Sequence, residues 1–91
     1  MLNFDWHAKK AASNVRKHGV SFPEAATVFG DPLAVTFPDP DHSEDEDREL
    51  TIGYSDNDRL LIVSHTRRGD NIRLINARRA AKSERDVYET R

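Results

Sequence analysis

From residue 7 to residue 18 the chain carries apolar side chains at Ala8, Ala11, Ala12 and Val15. That i, i+3, i+4, i+7 spacing predicts a helix with one face turned to a core. Lys17-His18 followed by Gly19 supplies the cations and the glycine that end a helix. Ser21-Phe22-Pro23-Glu24 has the form of a capping box with proline in the first turn. It opens a short second helix with Phe22, Ala25, Ala26 and Phe29 inward, closed by Gly30-Asp31-Pro32. The period then changes. Leu33 to Phe37 reads as a strand, and Leu50, Ile52 and Tyr54 alternate as a second. After the turn signal Asp56-Asn57-Asp58, Leu60 to Thr66 is apolar on both faces over its first half, as a central strand would be. Arg68-Gly69-Asp70-Asn71 turns the chain into a fourth strand, Ile72 to Ala77. Ser83 to Glu89 reads as a final helix with Ser83 as its N-cap.

The predicted order is ααββββα. It implies an α+β domain: helices layered on one face of a four-stranded antiparallel meander. At 91 residues there is room for one domain, residues 1–91. No run approaches the roughly 18 apolar residues of a membrane span, and MLNFDWHAKK lacks the apolar core of a signal peptide. With no cysteine there is no disulfide framework and no thiolate metal site. Together these favour a cytoplasmic protein without membrane partners.

Charge changes the picture more. The net of −2 is strongly segregated. Residues 1–20 hold four Lys/Arg and one acid; residues 21–58 hold one Arg and eleven acids; residues 59–91 hold nine Lys/Arg and four acids. Such segregation can focus a positive field on one surface of a nearly neutral protein, and it is also what solvated faces with chance clustering would give.

Metal and covalent chemistry find little support. Asp39, Asp41 and Ser43 begin like a calcium loop, but Glu44 stands at the glycine position and Leu50 at that of the bidentate glutamate. His7, His18, His42 and His65 show no i, i+4 pair for zinc. There is no nucleophile elbow and no glycine-rich phosphate loop. The expectation is no metal and no cofactor.

The C-terminal half is richer. His65 and Arg67, two apart on one strand, project from the same face. Arg73 and Arg78 flank the last strand, Arg79, Lys82 and Arg85 follow, and Glu84 and Tyr88 lie one turn apart on the last helix. Cutting RNA without a metal needs groups that take and return protons, and fixed positive charge on the transition state. Histidine suits the first need and arginine the second. Each residue also has a plainer reading: His65 as a hydrogen-bonded core-edge histidine, Arg73 and Arg78 as surface ion-pair partners, Tyr88 as a helix anchor, and Phe4 and Trp6 as core aromatics.

Trp6, Lys10, Asn14, the run Lys17-His18-Gly19-Val20, Phe22 and Glu24-Ala25-Ala26 form an ordered set with Val28-Phe29 and Asp31-Pro32. The Arg48–Gly53 strand, Leu61-Ile62-Val63, His65-Thr66 and Arg68-Gly69-Asp70 extend it, and Ile72-Arg73-Leu74-Ile75-Asn76-Ala77-Arg78, Ala80, Glu84-Arg85 and Tyr88-Glu89 complete it. The set resembles the BrnT toxins of bacterial type II toxin–antitoxin pairs along nearly the whole chain. His7 departs from an acid common after the tryptophan, and Asn76 from the usual serine. The resemblance implies a RelE-like fold and an endoribonuclease that inhibits translation. It implies neutralisation by a ribbon-helix-helix antitoxin (BrnA-like) in a 2:2 heterotetramer that binds operator DNA through the antitoxin. On that reading His65 transfers protons, Arg67, Arg73 and Arg78 hold phosphates, and Glu84 and Tyr88 orient a basic group or stack a base. Lys10, Lys17, His18, Arg68, Arg79, Lys82 and Arg85 form the RNA track. The alternative is a noncatalytic adaptor or corepressor module whose basic ends contact DNA or an acidic partner. A third possibility makes the acidic segment 39–49 a cover or docking surface for the basic site.

Overall fold

The computed structural model describes residues 2–41 and 47–90. A short strand β1 (Asn3–Asp5) precedes helix α1 (Ala8–His18), and helix α2 (Phe22–Thr27) runs into a 3-10 turn (Val28–Gly30). Strands β2 (Val35–Pro38), β3 (Arg48–Tyr54), β4 (Leu60–Arg68) and β5 (Asn71–Arg79) follow, then helix α3 (Lys82–Thr90). The sheet order is β1-β5-β4-β3-β2. β2 to β5 form the expected antiparallel meander, with β4 central.

Three expectations change. The sheet has five strands and is mixed, because β1 pairs in parallel with β5, Phe4 opposite Ile72. Three residues, Asn-Phe-Asp, are too few to show an alternation, and a parallel partner in the distant β5 leaves no local signal. Second, the helices cover both faces of the sheet. α1 and α2 pack over Leu61, Val63, Leu74 and Ala77, while Tyr88 of α3 joins Ile52, Leu60 and Ile62 on the opposite face. The continuous apolar run of β4 is thus split residue by residue between two cores. Third, α1 turns a different stripe inward. Val15 is 49% exposed and Asn14 is buried.

Asn14 docks the helix. Its Nδ2 donates to the carbonyls of Val20 (2.9 Å) and Ala77 (2.8 Å), and its Oδ1 accepts from the Ala77 amide (3.0 Å). A buried backbone pair beyond the end of β1 is satisfied in this way by a helix instead of a strand. Gly19 ends α1 at φ 68°, the left-handed conformation that glycine adopts without strain.

Ser21 caps α2 as expected, accepting from the Glu24 amide (3.1 Å). The Glu24 carboxylate does not complete the box. It accepts from Ser55 Oγ (2.7 Å) and Arg59 Nε (3.0 Å), and Arg59 also donates to the Gly19 carbonyl (3.0 Å). One buried network therefore ties α1, α2 and the β3–β4 turn together. Asp31 plays a similar part: it accepts from the amides of Leu33 and Tyr54 (both 2.9 Å) and from the Tyr88 hydroxyl (2.7 Å). Its hold on Leu33 keeps that residue out of β2, which begins at Val35. Gly53 leaves the room this packing needs, since a Cβ there would stand 3.0 Å from both Ala34 Cβ and Val28 Cγ1.

At the C-terminus, α3 starts at Lys82, so Ser83 lies inside it. The Glu84 carboxylate instead accepts from the Ala81 amide (2.7 Å), the reach-back half of a capping box.

Candidate nucleic-acid interface

The register of β4 and β5 decides which cations meet. Thr66 pairs with Arg73 and Ile62 with Arg78, so both arginines lie on the α3 side of the sheet. In a regular strand residues five apart would face opposite ways. Here Ser64 pairs with Asn76 and His65 with Leu74, which leaves Ile75 as an extra residue. This β-bulge returns Arg78 to the face of Arg73.

α3 covers only one end of that face. The other end is basic and, among the described residues, carries no helix. Arg68, Arg73 and Arg48 line one depression of about 170 Å³ with His7 and Lys10. Lys10, Lys17 and His18 of α1, with Arg48 and Asn76, line a second of about 300 Å³. Arg48, Arg78, Asn76 and Ser64 line a third of about 190 Å³, walled on its far side by Asp39 and Asp41. The three share Arg48, and a single basic surface runs from the β4–β5 turn across to α1.

Two of its arginines are braced. Arg73 Nε donates to Asp5 Oδ1 (2.9 Å), and Asn71 donates to Asp5 Oδ2 (3.1 Å); these bonds hold the Asp5 carboxyl below its ordinary pKa. β1, missed in the sequence, therefore supplies the residue that aims Arg73. Arg78 makes a bidentate pair with Glu84 (2.8 and 2.7 Å), which raises the arginine and lowers the glutamate. The pair links α3 to the site, and Arg78 stays 42% exposed.

His65 and Arg67 lie on the other face. His65 is 4% exposed, lies edge-on against Phe29 (4.9 Å), and its Nε2 bonds Thr51 Oγ1 (2.7 Å), which in turn bonds Thr36 Oγ1 (2.7 Å). Burial, aided by the Arg67 charge, pushes its pKa down to about 4, so the ring is neutral at pH 7. His65 and Arg67 share a face as expected, but the sheet separates them from Arg73 and Arg78, and the four residues form no common cluster.

The remaining expected residues divide. Lys10, Lys17, His18 and Arg68 line the basic surface. Arg79 pairs with Leu61 and so sits on the opposite face from Arg78. Lys82 and Arg85 on α3 face solvent and approach Asp86 and Glu89. Arg85 also donates to the Tyr54 hydroxyl (3.2 Å). Tyr88 is a helix anchor, buried with its hydroxyl on Asp31 and its ring edge-on to Tyr54. Arg48 and Ser64 were not singled out beforehand. Arg48 sits in the acidic middle of the chain, but its pairing with Thr66 puts it on the basic face. Ser43 and Glu44 of the calcium-loop comparison lie outside the described residues. Among the described residues no group of three His, Asp or Glu side chains is placed to hold a metal, and no helix is long and apolar enough to cross a membrane.

Residues 6–84 match the family model described as "Ribonuclease toxin, BrnT, of type II toxin-antitoxin system". The chain belongs to the BrnT family. The crystal structure of the Brucella abortus ribonuclease toxin BrnT is similar to it, with a TM-score of 0.70 and 22% identity over 90% of this chain and 100% of that one. At that identity the likeness shows the fold. No curated protein matches the chain. The α+β class and the family resemblance drawn from the residues are thus both upheld, with the BrnT match covering α1, α2, β2 to β5 and the first residues of α3.

Proposed function

We propose that this BrnT-family chain is a metal-independent endoribonuclease of the cytoplasm whose RNA-binding and cleaving surface is the basic end of the sheet beyond α3. The observation that carries the reading is the convergence of Lys10, Arg48, Arg68, Arg73 and Arg78 around three adjoining depressions. Arginines on a rigid sheet, two of them braced by carboxylates, are preorganised donors for phosphate oxygens and for charge that develops in the transition state. Solvent-exposed His18 at the end of α1 is the proton carrier on this surface. His65 and Thr51 form a structural pair beneath the opposite face, and Glu84 positions Arg78. Cleavage of RNA arrests translation. A ribbon-helix-helix antitoxin neutralises the toxin in a 2:2 complex that binds operator DNA through the antitoxin.

The test is purified protein on single-stranded RNA in EDTA. Wild type is expected to cut, and Arg73→Ala/Arg78→Ala to lose cutting by roughly a hundredfold or more, as for loss of transition-state donors. Absence of cutting by the wild type, with growth unaffected on expression in bacteria, would remove the ribonuclease reading and favour a noncatalytic adaptor.

A further inference from the structure

The depression nearest α3 holds more than phosphate recognition needs. At its floor lies Ser64, 4% exposed, and among the described residues its hydroxyl has no hydrogen-bond partner. Buried hydroxyls are nearly always paired, so an orphan at the bottom of an open depression marks a place where a ligand atom completes the bond. The walls differ in sign. Arg78 and Asn76 of β5 stand at one side, Asp39 and Asp41 with Arg48 beside them at the other, and Ser64, Ile62 and Leu50 lie between, the last two giving an apolar surface. The acidic wall is fixed at the end of the β2–β3 pair: the Asp39 amide donates to the Arg48 carbonyl (2.9 Å), and Asp39 Oδ1 accepts from the Asp41 amide (3.0 Å).

A phosphate does not settle against two carboxylates. A nucleobase with N–H donors does, because ionised carboxylates only accept. We infer that this depression binds one base of the RNA strand, with guanine the base it fits. Guanine alone presents two adjacent N–H donors, N1–H and the N2 amino group, to the acidic wall. Its O6 and N7 then face the donors of Asn76 and Ser64, and its ring lies on Leu50 and Ile62. About 190 Å³ accommodates one base. Arg48 and Arg78 take the phosphates on either side, so the base pocket sets which bond reaches the cleaving surface. Adenine and cytosine offer the carboxylates one amino group each, and uracil a single N–H between carbonyls. The proposal rests on the reading of this face as the RNA site.

The test titrates GMP, AMP, CMP and UMP separately into the intact protein by NMR or calorimetry, and maps cleavage ends on an RNA of random sequence. GMP is expected to bind at least tenfold more tightly than the others, and guanine to be enriched at one side of the cut. Ser64→Ala is expected to keep the wild-type melting temperature, since no protein bond is lost, and to lose the preference. A fall of many degrees would mean that the hydroxyl is structural and would overturn its assignment. Should that variant fail to fold, Asn76→Ala and Asp41→Asn, both at exposed positions, carry the same test. Equal affinity for the four nucleotides, or a preference for UMP, overturns the guanine pocket. RNA cut without base preference removes this inference and leaves the ribonuclease intact; GMP selectivity without cutting does the reverse.

Discussion

The two faces of the sheet treat their polar residues in opposite ways. Under α1 and α2 the buried polar side chains His65, Asn14 and Glu24 are all paired. His65 lies on Thr51, Asn14 closes three bonds to the backbone, and Glu24 holds Ser55 and Arg59. On the other face, beyond α3, arginines stand over a buried serine hydroxyl that nothing in the described protein satisfies. The first arrangement stabilises the fold, because a buried polar group contributes only when fully bonded. The second leaves the hydrogen-bonding capacity of a hydroxyl open to a ligand beside exposed arginines. The contrast teaches that a histidine beside an arginine on a strand is not evidence of a site. Burial decides, and here it assigns the histidine to the scaffold.

Predictions that bear on this contrast run from large effects to small. The largest is the loss of cutting in Arg73→Ala/Arg78→Ala, with a melting temperature within a few degrees of wild type because both pairs are partly exposed. Next is Asn14→Ala. It strands the Val20 carbonyl and both backbone groups of Ala77, at about 1–3 kcal/mol for each buried group left unpaired. A loss of about 3 kcal/mol lowers the melting temperature by more than about 10 °C in a domain of this size. Thermal denaturation checks it, and a variant that melts like wild type would detach Asn14 from the docking of α1.

The pH dependence follows from His65. Its pKa is lowered in the folded protein, so the unfolded chain binds the proton more tightly. Stability is full above about pH 6.5, the ordinary histidine value, and declines as pH falls toward about 4, where the folded protein also takes the proton. The loss amounts to about 3 kcal/mol if the full shift is expressed. Glu24, Asp5 and Glu84, with lowered values, add their losses only below about pH 4.5. Denaturation at pH 6.5 and 4.5 separates the two groups, and His65→Gln should flatten the curve between them. The smallest effect belongs to α3: Lys82→Ala should change cutting less than twofold and stability by less than about 0.5 kcal/mol, as for an exposed i, i+4 pair.

The sequence carried much of the fold. Period-2 alternation located β3, a run apolar on both faces located β4, and the Ser21 cap and Gly19 placed the helix ends, because those signals are local. The features that place the site are not local. Three residues of β1 leave no pattern, yet Asp5 aims Arg73. The extra residue Ile75 puts Arg73 and Arg78 on one face, and a bulge shows only in the pairing of two strands. Arg48 is masked in the sequence by its acidic neighbours and emerges through its register opposite Thr66. Alternation did correctly place His65 and Arg67 together; it carried no information on which face the first two helices would bury.

Arg67 and Arg68 offer the most direct test of the central claim that RNA binds the α3 side of the sheet. They are adjacent on β4, both exposed, and equal in charge, but Arg67 pairs with Ile72 and Arg68 with Asn71, so they project over opposite faces. Affinity for an uncleavable single-stranded RNA, measured across a salt series, should weaken in Arg68→Ala. Its log–log salt slope should fall by about 0.7 for one lost phosphate contact. Arg67→Ala should stay within twofold of wild type with the slope unchanged. Equal losses in the two variants, or a larger loss in Arg67→Ala, would contradict the account.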